Sequence, residues 1–265
     1  MGGELSLFLG YGAGMCSRHN CTGGFNMGSD SNSFSDLLKP LMDYQRKSAV
    51  ILFSATLLML IWAYFGSEAF FRQHLATRFD VEHPASAAAN YRFLCGSVLL
   101  GLVPMLIVKF GFRERLRDYG VGIGTPRDTL QSILWLVPIF IGVGFLAGSQ
   151  PGLQDKLLSN PELGKTMPFV PHACIYLLFY LSWEFNFCGY LLRGLAGEMG
   201  TTNAILIQVM ASSVMHLRDP APECFGAFAG GVLWGLLALR TNSLLSGMLQ
   251  HAALGLAVDW TAAYY

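Results

Sequence analysis

Seven long apolar stretches restrict the folds that this chain can adopt. They cover residues 48–66, 91–109, 130–148, 172–192, 203–217, 222–239 and 243–263. A helix needs roughly 17 to 25 apolar residues to cross a bilayer, and most of these stretches reach that length. Backbone N–H and C=O groups find no water in hydrocarbon, so an apolar stretch of this length satisfies them within a helix. The pattern predicts an all-α, polytopic transmembrane helical bundle of about seven spans, within a range of six to eight because the fifth stretch is short.

The composition also indicates a membrane protein. Hydrophobic residues make up 53% of the chain and charged residues 13%, against roughly 25% charged residues in an average soluble domain. The formal net charge is +0, so the chain lacks the basic field that nucleic-acid binding requires. Membrane lipid is therefore an expected partner and nucleic acid is not.

The chain divides into a short tail and one bundle. Residues 1–45 are rich in Gly, Ser and Asn without a periodic apolar pattern, and they are predicted to be disordered. Residues 46–265 are predicted to form the bundle. Lys and Arg concentrate before the first stretch and after the second, where residues 112–120 form either an interfacial helix or a solvated loop. The positive-inside rule then predicts a cytoplasmic N-terminus, in a bacterial inner (plasma) membrane.

A glutamate lies near the middle of the fourth apolar stretch. Glu184 stands within "YLSWEFNFCGYLLRG" (residues 180–194), where an isolated carboxylate costs several kcal/mol or takes up a proton. His216 and His251, in the fifth and seventh stretches, lie within roughly one or two helical turns of the depth of Glu184. The three side chains are therefore expected to line one cavity. A carboxylate and two imidazoles there can deprotonate a water molecule and stabilise an oxyanion.

Three short motifs resemble those of a known family. They are "WEFNFCG" (183–189), "SSVMH" (212–216) and "HAALG" (251–255). Their order resembles that of the CPBP intramembrane proteases, which include the CAAX prenyl endopeptidases and many bacterial immunity-type proteins. The resemblance covers about 170–260.

Four residues differ from the usual family motifs. Trp183 stands where the first Glu is expected, Cys188 where Arg is expected, Ser212 where Phe is expected and Gly255 where Asn or Asp is expected. The chain looks most like a branch whose first motif is Trp-Glu-Phe-x-Phe-Arg-Gly. "HLRDPAPE" (216–223) and Asp259, eight residues after His251, fit other features of that branch.

The resemblance implies an intramembrane endopeptidase that needs no cofactor and cuts a membrane-anchored protein or peptide. Glu184 would take a proton from water, His216 would hold that water or share the proton, and His251 would donate to the carbonyl oxygen. Asp259 would orient His251 or line the cavity.

Two further charged residues each have two interpretations. Glu223 either fixes His216 or only lies at the N-terminus of the sixth helix, where a carboxylate is favourable. Arg193 either anchors its helix at the cytoplasmic surface or replaces the charge missing at Cys188.

Other functions stay open at this point. A Glu with two His also fits a zinc site. The changes at positions 183, 188 and 255 would permit a catalytically inactive scaffold or an immunity-type binding protein. A small transporter could use the same three side chains as a proton relay, but transporters usually contain paired repeats, and the sequence has no evident internal repeat.

Overall fold

The computed structural model describes residues 46–79 and 81–265 as a helical bundle. Ten helices follow one another, and the described residues contain no strand apart from an isolated bridge between Leu163 and Met167. The helices are α1 (Arg46–Phe65), α2 (Glu68–His74), α3 (Ala76–Phe79), α4 (Pro84–Gly111), α5 (Pro126–Gly148), α6 (Gln154–Leu157), α7 (169–199), α8 (Thr201–Met215), α9 (Ala221–Thr241) and α10 (Leu245–Tyr264). The predicted all-α bundle is confirmed. The predicted disordered tail, residues 1–45, lies outside the described residues.

Each of the seven apolar stretches lies largely within one helix. Among the described residues, four helices are long and apolar enough to cross a membrane, namely α1, α4, α5 and α9, and α8 is a shorter apolar helix. The sequence predicted about seven spans. Three helices account for the difference. Helix α8 is too short, α7 changes its winding midway, and α10 carries Gln250, His251 and Asp259 among its apolar residues.

The change of winding in α7 occurs at Glu184. Phe169–Glu184 is α-helical, Phe185–Arg193 is π-helical and Gly194–Met199 is α-helical again. π-Helical turns appear frequently at functional sites, because the wider winding changes the direction in which side chains point. Helix α4 also contains π-helical segments, and it packs closely on α7 at Gly101, where a Cβ would lie 2.3 Å from the Ser182 hydroxyl.

The connections between helices lie at two ends of the bundle. We name one the Lys47 end, because Lys47 Nζ lies 2.7 Å from a carboxylate oxygen of Glu114 in the α4–α5 connection. The α9–α10 connection reaches the same end, where the Leu244 N–H donates to the Gly120 carbonyl over 2.9 Å. Every long helix thus has one terminus here.

The α4–α5 connection is mostly the exposed loop that the sequence offered as one of two structures for residues 112–120, and it is not an interfacial helix. It contains a short 3₁₀ turn, Leu116–Tyr119, and Tyr119 is only 2% exposed. The Tyr119 hydroxyl donates to Glu114 over 2.6 Å. Burial would raise the pKa of Glu114, but the bonds from Lys47 and Tyr119 outweigh it and lower that pKa. The connection is therefore held against the bundle.

We name the opposite end the Asn160 end. There the Asn160 side-chain amide donates to the Ser86 hydroxyl over 3.0 Å, joining the α6–α7 connection to α4. The Trp62 indole N–H donates to the Arg92 carbonyl over 2.9 Å, which joins α1 to α4. These contacts fix the helix ends that surround the candidate site.

Candidate active site

Glu184 and His251 form a direct pair between α7 and α10. Glu184 Oε1 lies 2.9 Å from His251 Nδ1, and their side chains are 3% and 15% exposed. Gly247 makes room for the carboxylate, because a Cβ at that position would lie 3.1 Å from Glu184 Oε2. An ionised carboxylate can only accept, so Nδ1 donates, and in the neutral imidazole Nε2 then carries the lone pair.

Two aromatic rings hold the imidazole of His251 in place. Trp234 of α9 stacks on it with 4.1 Å between ring centroids, and Tyr180 of α7 lies 4.6 Å away on a tilted plane. Tyr180 precedes Glu184 by one helical turn, so the same face of α7 supplies both the carboxylate and one ring. The imidazole therefore has a fixed orientation as well as a fixed hydrogen-bond partner.

His216 lies in the connection between α8 and α9, beside two carboxylates. Its Nδ1 is 2.8 Å from Asp219 Oδ2 and 3.6 Å from Glu223 Oε1. Burial would lower the pKa of His216, but the hydrogen bonds and charges of Asp219 and Glu223 outweigh it and raise the pKa to about 9. His216 is therefore protonated at neutral pH. Glu223 fits both interpretations given for it. It lies close enough to His216 to help hold the ring, and it also lies in the first turn of α9.

Trp183 lies between the Glu184–His251 pair and the group formed by His216 and its two carboxylates. Successive residues on a helix point about 100° apart, so Glu184 reaches His251 while the ring of Trp183 lies 5.5 Å from that of His216. An indole thus occupies the position where the first Glu of the family motif is expected. The carboxylates that meet His216 come instead from Asp219 and Glu223, which follow it in the chain.

One cavity of about 330 Å³ joins the two histidines. His251, Tyr180, Trp183, His216 and Glu223 all contribute to its wall. Toward the Asn160 end, the cavity continues past charged side chains, namely Glu68, Arg92, Asp155, Lys156 and Asp219. The carboxylate of Glu184 is outside this wall and lies behind His251. Both histidines therefore line one cavity, as the sequence predicted. Glu184 was expected to line it as well, but its carboxylate contacts His251 and is not part of the cavity wall.

Asp259 does not orient His251, and it does not line this cavity. One carboxylate oxygen lies 2.8 Å from His172 Nε2, and the other accepts the Ser159 N–H over 2.8 Å. The Ser159 hydroxyl also donates to Asp259. A separation of eight residues along a helix is about 12 Å, which is too far for a hydrogen bond with His251. Asp259 instead ties the α6–α7 connection to α7 and α10.

A second polar group consists of Ser159, His172 and Asp259. It has the residue types of a serine hydrolase triad, but its geometry differs from that of a triad. Ser159 Oγ and Asp259 Oδ2 both approach the same ring nitrogen, Nε2 of His172, at 3.4 and 2.8 Å. In a catalytic triad the serine and the carboxylate lie on opposite ring nitrogens. His172 and Asp259 are also 0% and 1% exposed. The group is therefore a buried structural network.

His172 is a residue that the sequence interpretation missed. It lies on α7 with Tyr176, Tyr180 and Glu184, each four residues after the one before. Side chains at this spacing share one face of a helix. The repeat of polar or aromatic groups on an otherwise apolar helix was the signal that could have identified this face.

Arg193 lies at the Lys47 end. Its guanidinium donates to the Asn242 side-chain oxygen over 3.0 Å, and a second nitrogen lies 3.5 Å from the Ala238 carbonyl. Cys188 is buried beside Glu184, with which its thiol interacts. These contacts place the guanidinium at the end of α9, and Arg193 also interacts electrostatically with Cys188, so both interpretations of Arg193 remain open.

One group of side chains among the described residues has metal-ligand spacing. The ligand atoms of His216, Asp219 and Glu223 all lie within 4.8 Å of one another. Glu184 and His251 are not members of this group, so the described residues do not gather the Glu and two His that the sequence suggested as zinc ligands. If a divalent cation binds, the position next to His216 is the one with suitable donors.

A family model matches the part of the chain that holds these groups. Residues 166–257 match the model described as "Rce1-like: Type II CAAX prenyl endopeptidase Rce1-like". The matched segment contains Glu184, His216 and His251, and it confirms the resemblance of this segment to the CPBP family. No curated protein and no solved structure matches the chain.

Proposed function

We propose that this chain is an intramembrane endopeptidase that hydrolyses a peptide bond of a membrane-anchored protein or peptide. The observation that carries the proposal is the cavity between the helices, in which two histidines are each held by carboxylates. The match of residues 166–257 to a family of prenyl endopeptidases supports this reaction class. Aromatic side chains in the cavity wall, such as Phe93 and Phe179, suit an apolar segment of a substrate.

His251 and Glu184 together activate the water molecule in this proposal. The sequence alone gave the proton-accepting role to Glu184, but the carboxylate lies behind His251 and is bonded to its Nδ1. Nε2 of His251 therefore takes the proton from water, while Glu184 fixes the tautomer and stabilises the imidazolium that forms. The water oxygen bonds to the carbonyl carbon and produces a tetrahedral intermediate.

His216 is the proton donor. Its raised pKa keeps the imidazole protonated at neutral pH, so His216 delivers a proton to the amide nitrogen as the carbon–nitrogen bond breaks. The products are a carboxylic acid and an amine. His251 then loses the proton that it took from water, and His216 regains one, which restores the starting state of the site.

Cleavage by the purified protein tests this proposal. We would reconstitute the full chain in phosphatidylethanolamine and phosphatidylglycerol vesicles with a library of membrane-anchored peptides, prenylated peptides included. Wild type should cut at least one member, and Glu184→Gln and His216→Ala should lower the rate by about 10²-fold or more. Glu82→Gln is the matched control, because that side chain is 89% exposed.

Three other results would change the conclusion. Equal rates for wild type and Glu184→Gln would remove Glu184 from the mechanism. Loss of cleavage with a zinc chelator would make the group of His216, Asp219 and Glu223 a metal site. No cleavage of any member by wild type would reject the endopeptidase.

A second candidate function is a catalytically inactive binding protein. The observation that favours it is the indole of Trp183 against His216, at the position where the family motif has its first Glu. A binding protein would retain membrane-anchored peptides without cutting them, and Glu184→Gln would leave their affinity unchanged. Binding of the same peptide library, measured beside cleavage, separates the two functions.

A further inference from the structure

The hydroxyl of Tyr180 occupies the space in which a side chain at position 255 would begin. A Cβ built on Gly255 would lie 1.8 Å from Tyr180 Oη and 2.8 Å from its Cζ. These distances are far shorter than van der Waals contact, so Gly255 is required if Tyr180 is to hold this position. The sequence has Gly at the place where the motif of the family it resembles has Asn or Asp. The Tyr180 hydroxyl, which belongs to α7, thus provides a polar atom at this point, whereas Gly255 of α10 has no side chain to provide one.

This hydroxyl lies beside the proposed base. Gly255 follows His251 by one helical turn on the same face of α10, and the rings of Tyr180 and His251 are 4.6 Å apart. Both residues line the cavity. The hydroxyls of Tyr180 and Tyr176 also interact. Either tyrosine can donate in such a pair, and when the Tyr176 hydroxyl is the donor, the O–H of Tyr180 is left for another acceptor.

The proposed hydrolysis needs a donor at this position. When water adds to the carbonyl carbon, negative charge builds on the carbonyl oxygen, and a fixed donor stabilises that charge. Glu184 can only accept, and Nε2 of His251 carries a lone pair when it acts as the base. The peptide N–H groups of α7 and α10 are used within those helices. Tyr180 lines the cavity next to the base and carries an O–H group.

We propose that Tyr180 is a catalytic residue whose hydroxyl donates a hydrogen bond to the carbonyl oxygen of the substrate as it becomes an oxyanion. This inference rests on the proposed function. The hydrogen bond strengthens as charge accumulates in the transition state, so its loss lowers kcat more than it changes KM. A tyrosine that only packed against α10 would affect folding and leave kcat unchanged.

Tyr180→Phe removes the hydroxyl and keeps the ring. We expect kcat to fall by about 10²- to 10³-fold for the peptide that wild type cuts fastest in the vesicle assay, with KM and melting temperature close to the wild-type values. Tyr91→Phe is the matched control, because the Tyr91 hydroxyl donates to the Phe65 carbonyl outside the cavity wall. That variant should retain kcat.

A paired substitution tests the position itself. Tyr180→Ala clears the space over Gly255, and the double variant Tyr180→Ala/Gly255→Asn places a carboxamide donor there. We expect the double variant to be at least about 10-fold faster than Tyr180→Ala alone, because an amide N–H can replace the hydroxyl as donor. A double variant no faster than Tyr180→Ala would overturn the assignment of the oxyanion to this position.

The outcomes for Tyr180 and for the proposed function are separable. Cleavage by wild type with an unchanged kcat in Tyr180→Phe overturns the role of Tyr180 and leaves the endopeptidase intact. Absence of cleavage by wild type overturns both. A selective loss of kcat in Tyr180→Phe, with wild-type rates in Tyr91→Phe, supports both.

Discussion

Glu184 Oε1 and His251 Nδ1 lie 2.9 Å apart, joining α7 to α10 across 67 residues of sequence. The bond gives a carboxylate in an apolar helix a charge-assisted partner, and it gives an imidazole in the cavity wall one defined tautomer. Neither residue has these properties alone, because a lone carboxylate in hydrocarbon is costly and a lone imidazole can protonate at either nitrogen. The pair is therefore the smallest unit of the site to which a chemical role can be assigned.

The tautomer of His251 is directly measurable. With Glu184 ionised, the neutral ring of His251 should carry its proton on Nδ1 and leave Nε2 unprotonated. Solid-state NMR of protein labelled with ¹⁵N-histidine should show this pattern, and the His251→Gln variant assigns the signal. In Glu184→Gln the preference for Nδ1–H should weaken. A wild-type signal from the Nε2–H tautomer would contradict His251 as the base.

The pH dependence of cleavage should contain an alkaline limb set by His216. Its folded pKa is raised from 6.5 to about 9, so the proton donor is present below pH 9 and is lost as the pH rises through 9. By the same linkage, its contribution to stability is complete below about pH 6.5 and is lost as the pH rises through 9. The logarithm of kcat/KM should therefore fall above about pH 9.

Variants of the two acidic neighbours test the origin of that limb. Asp219→Asn and Glu223→Gln each remove a charge that faces His216, so each should move the alkaline limb to lower pH. Glu82→Gln, outside this group, should leave the profile unchanged. A profile that is identical in all three variants would show that His216 does not set the limb.

The sequence predicted the helices better than it predicted their contacts. Helix position follows from the length of apolar stretches, which is a local property, so the bounds of α5 agree with their stretch within a few residues. The partner of Asp259 depends on the packing of separate segments: His172 precedes it by 87 residues. The π-helical winding after Glu184 and the contact of Tyr180 with Gly255 likewise depend on how α7 packs, and no local pattern specifies them.

Asp259→Asn should affect stability more than chemistry. Asp259 is 1% exposed and accepts bonds from Ser159, with His172 at 2.8 Å, so an amide in its place puts an N–H donor where the network now has a charged acceptor. We expect unfolding to become easier by about 1 to 3 kcal/mol. The melting temperature in detergent and kcat, measured below the melting transition, check this together.

Ser159→Ala is the milder companion of that variant, since it removes only the hydroxyl from the same network. Its melting temperature should lie between those of Asp259→Asn and wild type. Loss of cleavage in Asp259→Asn at an unchanged melting temperature would instead give Asp259 a role in the reaction.

The Lys47 end of the bundle should face the cytoplasm. Lys109, Arg113, Arg115, Arg117 and Arg127 lie in or beside the α4–α5 connection at that end, and Lys and Arg are enriched in cytoplasmic connections. The charged entrance of the cavity lies toward the Asn160 end, so substrates should enter from the side of the membrane opposite the start of α1.

Single cysteines placed at the exposed positions Arg117 and Lys165, in a chain whose native cysteines are replaced, report the two ends. A membrane-impermeant maleimide should label Lys165→Cys in intact cells and Arg117→Cys only in inverted vesicles. The opposite pattern would place the entrance of the cavity on the cytoplasmic side and contradict the predicted cytoplasmic N-terminus.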